Sequence, residues 1–290
     1  MEEVPTAIQC TERCHLGEGP TYDPTTDTAW WFDILERRLF ECRIETAEMR
    51  VHALPKMASA LARIDGERQL ILCDDGLYVR EVASGRMDLF LSVEADNSAT
   101  RCNDARVHPS GTFWFGTMGR KAEAGAGAIY ALHHGQLIKL FPGITIPNAI
   151  CFSPGGDIGY FADTRKQLLN RVPLDPATGL PVGDPAPLIQ GVHGMDGAVV
   201  DADGLIWNAH WGAGRIAVYD PHGQHLRSLR VPAKQSSCPA FVGRDLSRLL
   251  VTSAWEHMDE AARAADPEHG RTFLLHANAR GSAEPDVRLS

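Results

Sequence analysis

The stretch Gly17-Glu18-Gly19-Pro20-Thr21-Tyr22-Asp23-Pro24 sets a pattern that the rest of the chain repeats. A polar residue begins the pattern, a short apolar segment follows, and an Asp/Pro/Gly turn leads into an aromatic segment. The pattern returns clearly at Asn103, Asn148 and Asp196, and more weakly at Ser59 and Ser237. The spacing of roughly 40–50 residues is typical of a repeat architecture.

Each repeat contains about four short β-type segments separated by Gly, Pro, Asp and Asn. In the repeat that begins at Asn148, the segments are 149–153, 158–163, 168–173 and 187–191. Six units of four strands have the composition of a β-propeller. We therefore predict an all-β fold, a six-bladed β-propeller with four-stranded blades around a central channel, formed by residues 1–290 as a single domain.

Four segments depart from the repeat. We expect residues 6–14 to form a strand that pairs with the last blade, because closure removes exposed sheet edges. Residues 256–265 have a helical composition. Residues 119–127 are rich in Ala and Gly and form either a lid over the channel or an ordinary solvated loop. The last dozen residues are polar, and we expect them to fray.

Composition narrows the possible partners and the compartment. The formal net charge is -9 and Lys and Arg are scattered, which argues against nucleic acid or an anionic membrane as partner. No apolar run is long enough to span a membrane, and the N-terminus lacks the features of a signal peptide. We predict a soluble cytoplasmic protein, monomeric or weakly homo-oligomeric, that acts on a small molecule.

The sulfur and imidazole side chains do not form an obvious metal site. The chain has seven cysteines, mostly inside apolar segments, and we expect buried free thiols. A catalytic role for Cys102 is an open alternative. His15, His193 and His210 lie near motif residues, and we interpret them as structural groups rather than ligands.

Oxygen ligands are better represented at the repeat positions. In a propeller, equivalent repeat positions face the channel, so Glu18, Asn103, Asn148 and Asp196 are expected to converge near one mouth. Glu18, Asn148 and Asp196 supply two carboxylates and an amide carbonyl, a set that suits one divalent cation such as Ca, Mg, Mn or Zn. Alternatively, these side chains only satisfy backbone amides around a water-filled channel.

Five short motifs together resemble the SMP-30/gluconolactonase/regucalcin (LRE-like) family, over residues 10–280. They are Leu16-Gly17-Glu18-Gly19-Pro20, Arg101-x-Asn103-Asp104, Phe115-Gly116-Thr117-Met118, Ile146-Pro147-Asn148 and Asp196-Gly197. The resemblance implies a six-bladed propeller, one divalent metal in the channel and hydrolysis of sugar lactones, as in bacterial lactonases. By that resemblance Glu18, Asn148 and Asp196 match the metal ligands, and Arg101 and Asn103 match residues that hold sugar hydroxyls.

Lactone hydrolysis suits such a site. A bound cation polarises the ring carbonyl, lowers the pKa of a bound water and stabilises the oxyanion. Asp196 is the first candidate for the general base, acting as ligand and base together, and Asp104 is the second. Vertebrate members carry a sugar-contacting glutamate where this chain has Lys121. We therefore hypothesise that Lys121 selects a lactone with a carboxylate, an aldarolactone rather than a neutral aldonolactone.

Three other functions remain open. A promiscuous esterase or phosphotriesterase is compatible with the architecture, although Arg101 and Asn103 are of the sugar-binding type. A non-catalytic calcium-binding protein of the regucalcin kind would bind metal without turnover. A propeller that serves only as an interaction platform would need no ligand set in its channel.

Overall fold

The computed structural model describes all 290 residues. It contains 24 strands, one short α-helix and one 3-10 turn. The first twelve strands are β1 (Thr6–Cys10), β2 (Gly17–Asp23), β3 (Thr28–Asp33), β4 (Arg38–Arg43), β5 (Met49–Ala53), β6 (Ala58–Arg63), β7 (Arg68–Cys73), β8 (Gly76–Glu81), β9 (Met87–Ser92), β10 (Thr100–Val107), β11 (Phe113–Gly119) and β12 (Gly127–His133). The remaining twelve are β13 (Gln136–Ile144), β14 (Pro147–Phe152), β15 (Ile158–Asp163), β16 (Leu168–Pro173), β17 (Ala186–Gln190), β18 (Met195–Val200), β19 (Ile206–His210), β20 (Arg215–Tyr219), β21 (His225–Arg230), β22 (Ser236–Val242), β23 (Arg248–Ser253) and β24 (Thr272–His276).

These strands form six four-stranded antiparallel sheets. The orders are β2-β3-β4-β5, β6-β7-β8-β9, β10-β11-β12-β13, β14-β15-β16-β17, β18-β19-β20-β21 and β22-β23-β24-β1. Short turns join most neighbouring strands within a sheet, as expected from the Gly, Pro, Asp and Asn that separate the β-type segments. The β16–β17 and β23–β24 connections are longer. The sheets are the blades of a six-bladed β-propeller, so the predicted fold is confirmed.

The chain divides into two compact units, each with three sheets. The first unit, Met1–Pro55 with His193–Ala283, holds the sheets that begin with β2, β18 and β22. The second unit, Lys56–Val192 with Glu284–Ser290, holds the sheets that begin with β6, β10 and β14. The single domain of residues 1–290 stays a prediction.

The N-terminal strand completes a sheet made otherwise from the C-terminal part of the chain. β1 pairs antiparallel with β24, with Thr6 opposite Leu275. The strand expected in residues 6–14 therefore exists and pairs as predicted. The helical excursion is shorter than its composition suggests, because α1 covers only Glu260–Ala265. The carboxylate of Asp259 caps it by accepting the Ala262 N–H at 2.8 Å.

Apolar side chains pack between neighbouring sheets of each unit. The aromatic segments of the repeat supply Trp31, Trp114 and Trp207, which lie on the second strands of their sheets and are completely buried. Burial falls toward the outer strands: every residue of β10 and β11 is buried, whereas β9 is largely exposed. The first strands are therefore held most firmly, which matters because they carry the candidate site residues. The single α-helix is too short to cross a membrane.

The last residues are docked rather than frayed, which corrects the sequence expectation. The Val287 N–H donates to the Arg63 carbonyl at 2.7 Å, and the Arg288 N–H donates to the Gly111 carbonyl at 2.9 Å. The Val287 side chain is 3% exposed and packs into the core that the sheets beginning with β6 and β10 share. Leu289 packs against the same core and Asp286 pairs with Arg63, so several contacts fix a segment whose polar composition suggested mobility.

Replacing Val287 by Ala should lower the free energy of unfolding by about 2 kcal/mol, because it removes buried methyl groups and leaves a cavity. Urea denaturation of the full chain measures this loss. Val182→Ala is the matched control: Val182 is 67% exposed, and its replacement should change the free energy by less than about 0.5 kcal/mol. Equal stability of the two variants would contradict the docked arrangement.

Candidate metal and substrate site

The first strand of every sheet carries a register irregularity at its predicted polar residue. In five of these strands two residues lie opposite one on the neighbouring strand, and in β6 one extra residue is inserted. The shifts fall between Glu18 and Thr21, Ala58 and Ala60, Cys102 and Ala105, Asn148 and Cys151, Met195 and Ala198, and Ser236 and Pro239. Such bulges re-aim side chains and are common beside active sites.

The bulges refine the predicted equivalence of the repeat positions. Asn103, Asp196 and Ser237 are the first unpaired residues of their bulges. Glu18 and Asn148 are instead the last paired residues before theirs. The repeat positions chosen from the sequence are therefore one residue off for these two strands, because a pattern of polar and apolar residues does not show where a bulge begins.

In the first unit, two acidic side chains lie on first strands that both pack against β22. Glu18 on β2 is 8% exposed and Asp196 on β18 is 5% exposed. A Cβ atom on Gly197 would lie 2.3 Å from the Cys238 sulfur, so only glycine allows β18 to approach β22 this closely. Buried carboxylates are normally paired with cations or bound to metals. This part of the unit therefore suits a positive ligand.

Asn208, which the sequence analysis did not single out, holds the bulge that carries Asp196. Its side-chain N–H groups donate to the carbonyls of Asp196 and Gly197, at 2.7 and 3.0 Å. Asn208 is 1% exposed and lies on β19, where it pairs with Ala198 directly after the bulge. Its position directly after Trp207 in the aromatic segment is a sequence signal that could have identified it.

In the second unit, the amide of Asn148 has a defined orientation. Its nitrogen donates to the Thr164 hydroxyl at 2.8 Å, so its oxygen points away from Thr164. That oxygen accepts one hydrogen bond, from the Asn103 side chain at 2.8 Å. An amide oxygen has two lone pairs, so one remains for a cation. Asn148 therefore has an amide oxygen that fits a ligand role, a donor of the type that hard cations prefer.

Arg101 and Asn103 form a connected pair. The Arg101 Nη1 donates to the Asn103 side-chain oxygen and to the Cys102 carbonyl, both at 2.8 Å. The Asn103 nitrogen donates to the Pro147 carbonyl at 2.9 Å and to Asn148. Both amide hydrogens of Asn103 are thus used within the protein. Arg101 keeps further N–H donors for a ligand.

The loop at residues 119–127 is attached by Arg120 rather than by Lys121. The Arg120 backbone N–H and Nε donate to the carbonyls of Ala99 and Ser98, and its Nη2 pairs with Asp74 at 2.7 Å. Lys121 is exposed and its ammonium group makes no ion pair. The two neighbouring cations therefore differ: the guanidinium fixes the loop, and the ammonium is available to a ligand.

Asp104, the second candidate base, is occupied by the backbone. It is 5% exposed, and its two carboxylate oxygens accept the N–H groups of Ala105 at 2.9 Å and Ile150 at 2.7 Å. Desolvation by burial raises the pKa of Asp104 to about 6, against an opposing effect of Arg106. Because both oxygens of Asp104 bind backbone amides, Asp104 is a poor candidate for the general base.

The other titratable candidates are structural. All seven cysteines are free and buried, as predicted. Burial raises the pKa of the Cys102 thiol to about 11, which disfavours a nucleophilic thiolate. His15 stacks on Trp255 at 3.8 Å, and His210 is enclosed by Arg215 and Tyr219. The structure contains no group of three or more His, Cys, Asp or Glu side chains that could hold a metal ion.

The sheets and their bulges define a class of protein: a six-bladed β-propeller with buried carboxylate and amide oxygens on its first strands. Comparison with known families identifies the member of that class. Residues 16–255 match the profile of the SMP-30/gluconolactonase/LRE-like region. The chain belongs to this family, and the resemblance stated from five short motifs is confirmed.

Several relatives resemble the chain over almost its whole length. A protein of Rhizobium meliloti (strain 1021) that is named as a sugar lactone lactonase is 54% identical, with 94% of each chain covered. An L-arabinolactonase of Azospirillum brasilense is 31% identical over 98% of this chain and 97% of its own length. The chain also resembles the crystal structure of a calcium-binding protein, regucalcin, from Agrobacterium tumefaciens str. C58. The sequence identity is 52% and the TM-score is 0.97, and the match covers 99% of this chain and 98% of the other.

The buried imidazole of His210 leads to a prediction about pH. Burial, assisted by Arg215, lowers the pKa of His210 to about 4 from 6.5. Above pH 6.5 the imidazole is neutral in both states. Between pH 6.5 and 4 the unfolded chain takes up a proton that the folded chain does not, so stability falls with falling pH, by about 2 kcal/mol at pH 5.

His210→Gln should remove this contribution, so that its free energy of unfolding changes less than that of the wild-type protein between pH 7.5 and pH 5. Urea denaturation at both pH values measures the difference. His222→Gln is the matched control, because His222 is exposed and its replacement should leave the pH dependence as in the wild type. The same pH dependence in all three proteins would show that His210 is protonated in the folded state.

Proposed function

We propose that the protein is a divalent-metal-dependent hydrolase that opens sugar lactones in carbohydrate metabolism. The observation that carries the proposal is the set of buried oxygen ligands, Glu18, Asn148 and Asp196, at the bulges of three first strands. Relatives named as lactonases, at 54% and 31% identity over nearly the full chain, support the reaction class. The small-molecule partner is therefore a sugar lactone.

Glu18, Asn148 and Asp196 would hold one divalent ion. The defined amide orientation of Asn148 supports this, as does the burial of both carboxylates. When bound, the ion polarises the lactone carbonyl and lowers the pKa of a water molecule. Calcium, magnesium, manganese and zinc all accept such an oxygen set, so the donor set does not select among them.

The chain's own residues would complete the reaction. As the water oxygen attacks the carbonyl carbon, Asp196 accepts the water proton, and the proton then passes to the ring oxygen when the ester bond breaks. The product is an open-chain hydroxy acid. Arg101 donates its remaining N–H groups to sugar hydroxyls, and Asn103 holds both Arg101 and Asn148 in position. The side chains that orient the sugar ring are therefore held in place before the substrate binds.

Lys121 supports a substrate with a negative charge. Its ammonium group is exposed and without an ion pair, whereas the adjacent Arg120 is engaged with Asp74. A lactone that bears a carboxylate, as an aldarolactone does, would pair with this free cation. We therefore propose an acidic sugar lactone as the preferred substrate.

The alternative function is a non-catalytic calcium-binding protein. The similarity to a structure named calcium-binding protein, regucalcin, at 52% identity supports it. The same three oxygen ligands would serve this function, with no need for a base or for sugar contacts. Turnover therefore separates the two functions, whereas metal binding alone does not.

The first test is lactone hydrolysis by chelator-treated protein, followed as proton release near neutral pH, with each of the four metals restored in turn. We expect turnover that depends on metal and that falls at least about 100-fold in Asp196→Ala, since a ligand and base are both lost. Asp203→Ala is the control, because Asp203 is exposed in the turn after the same strand. Tight metal binding without turnover on any lactone would instead favour the calcium-binding function.

The second test concerns substrate charge. The ratio of kcat/KM for an aldarolactone to that for a neutral aldonolactone should exceed one in the wild-type protein and fall about tenfold in Lys121→Glu, equivalent to about 1.4 kcal/mol. Lys139→Glu, on the outer strand β13, should leave the ratio unchanged. A preference for the neutral lactone that Lys121→Glu does not alter would rule out the selective role of Lys121.

A further inference from the structure

The bulge of β14 depends on a bond from outside its own sheet. The bulge residues Ala149 and Ile150 follow Asn148 directly and have no register partners on β15. Ala149 adopts a left-handed backbone conformation, with φ of 50°, which is unfavourable for a residue with a Cβ atom. The Ile150 N–H points away from the sheet ladder. This segment therefore needs an external acceptor to stay in place.

Asp104 supplies that acceptor from the neighbouring sheet. Its Oδ2 accepts the Ile150 N–H at 2.7 Å, and its Oδ1 accepts the Ala105 N–H at 2.9 Å within its own bulge. β10 and β14 pack against each other inside the second unit, so this carboxylate joins the bulges of two adjacent first strands. Charge-assisted hydrogen bonds of this kind are about twice as strong as neutral ones.

The residue before Asp104 holds the other side of the same segment. The Asn103 side chain donates to the Pro147 carbonyl at 2.9 Å and to the Asn148 side-chain oxygen at 2.8 Å. Asn103 and Asp104 thus hold β14 on both sides of the Asn148–Ala149 peptide. The position of the Asn148 amide oxygen is set by two consecutive residues of the neighbouring blade.

A neighbouring cation balances the negative charge of Asp104. Arg106, two residues along β10, interacts electrostatically with Asp104 and is 7% exposed. Its guanidinium group pairs with Glu284 of the docked C-terminal segment. The Asp104 carboxylate is therefore buried beside a cation, and protein groups rather than solvent water bind its oxygens.

We propose that Asp104 is a positioning residue for the cation site: its carboxylate fixes the β14 bulge so that the Asn148 amide oxygen is presented to the metal. The inference rests on the proposed function, because it assigns a role toward the ion that Asn148 would bind. Asp104 itself touches neither the ion nor the substrate. Residues that orient metal ligands from outside the coordination shell typically change metal affinity by 10–100-fold when replaced.

The test is the dissociation constant for Ca²⁺ and Mn²⁺, measured by titration calorimetry on the full chain. Asp104→Asn keeps the shape of the side chain but presents an N–H₂ group to one of the two backbone donors, which leaves that donor unsatisfied. We expect the dissociation constant to rise by about 10–100-fold in Asp104→Asn. An unchanged dissociation constant, with metal bound by the wild-type protein, would overturn the inference and leave the proposed function intact.

Asp201→Asn is the matched control. Asp201 is also buried, and its carboxylate accepts the N–H groups of Asp203 and Leu205, but it follows the far end of the strand that carries Asp196. The Asp201→Asn variant should be less stable but should bind the metal as tightly as the wild type. This result would separate a positioning role of Asp104 from a general loss of structure. An equal loss of affinity in both variants would overturn the inference.

A second variant keeps the inference testable if Asp104→Asn does not fold. Ala149→Gly relieves the strained left-handed backbone at φ of 50°, so the double variant Asp104→Asn/Ala149→Gly gains stability without regaining the carboxylate. Its dissociation constant should still lie about 10–100-fold above that of the wild type. Affinity of the double variant equal to that of the wild type would overturn the inference. Absence of metal binding by the wild-type protein would overturn the proposed function itself, and the inference with it.

Discussion

The structure depends on the register irregularity in the first strand of each sheet. A regular strand points consecutive side chains to opposite faces, so two adjacent polar residues could not both contact the same neighbouring strand. The bulge removes this restriction. In β10, Asn103 binds the Asn148 side chain while Asp104 binds the Ile150 backbone N–H, and both partners lie on β14. The bulge thus links the packing of the sheets to the chemistry that the polar residues can perform.

Close packing of the first strands makes these bulges rigid. Gly17 and Gly197 lie where a Cβ atom would come within 2.4 Å of a neighbouring strand, against the Ser253 carbonyl and the Cys238 sulfur respectively. The Ser237 hydroxyl adds a hydrogen bond to the Gly17 carbonyl at 2.5 Å. Each acidic candidate therefore sits beside a glycine that lets two strands meet. A site assembled this way is preorganised by the fold, so little ordering is left for ligand binding.

The sequence correctly predicted the repeat and the sheets, because turn residues and aromatic segments recur at a regular spacing. It could not predict the one-residue offset at Glu18 and Asn148, since a pattern of polar and apolar residues does not show where a bulge begins. It also could not show that both oxygens of Asp104 bind backbone amides, which depends on contacts between distant strands. The C-terminal segment illustrates the same limit, because its docking depends on contacts of Val287, Leu289 and Asp286 with residues far away in the sequence.

The central claim is that one divalent ion binds to oxygen atoms carried by the bulged first strands. X-ray absorption spectroscopy of the Mn²⁺-loaded protein tests it most directly, because it reports the elements that surround the ion independently of turnover. The account predicts one ion per chain with a first shell of oxygen atoms only, lost in Glu18→Gln and Asp196→Asn. A shell that contains sulfur or imidazole nitrogen, or one that persists in both variants, would contradict it.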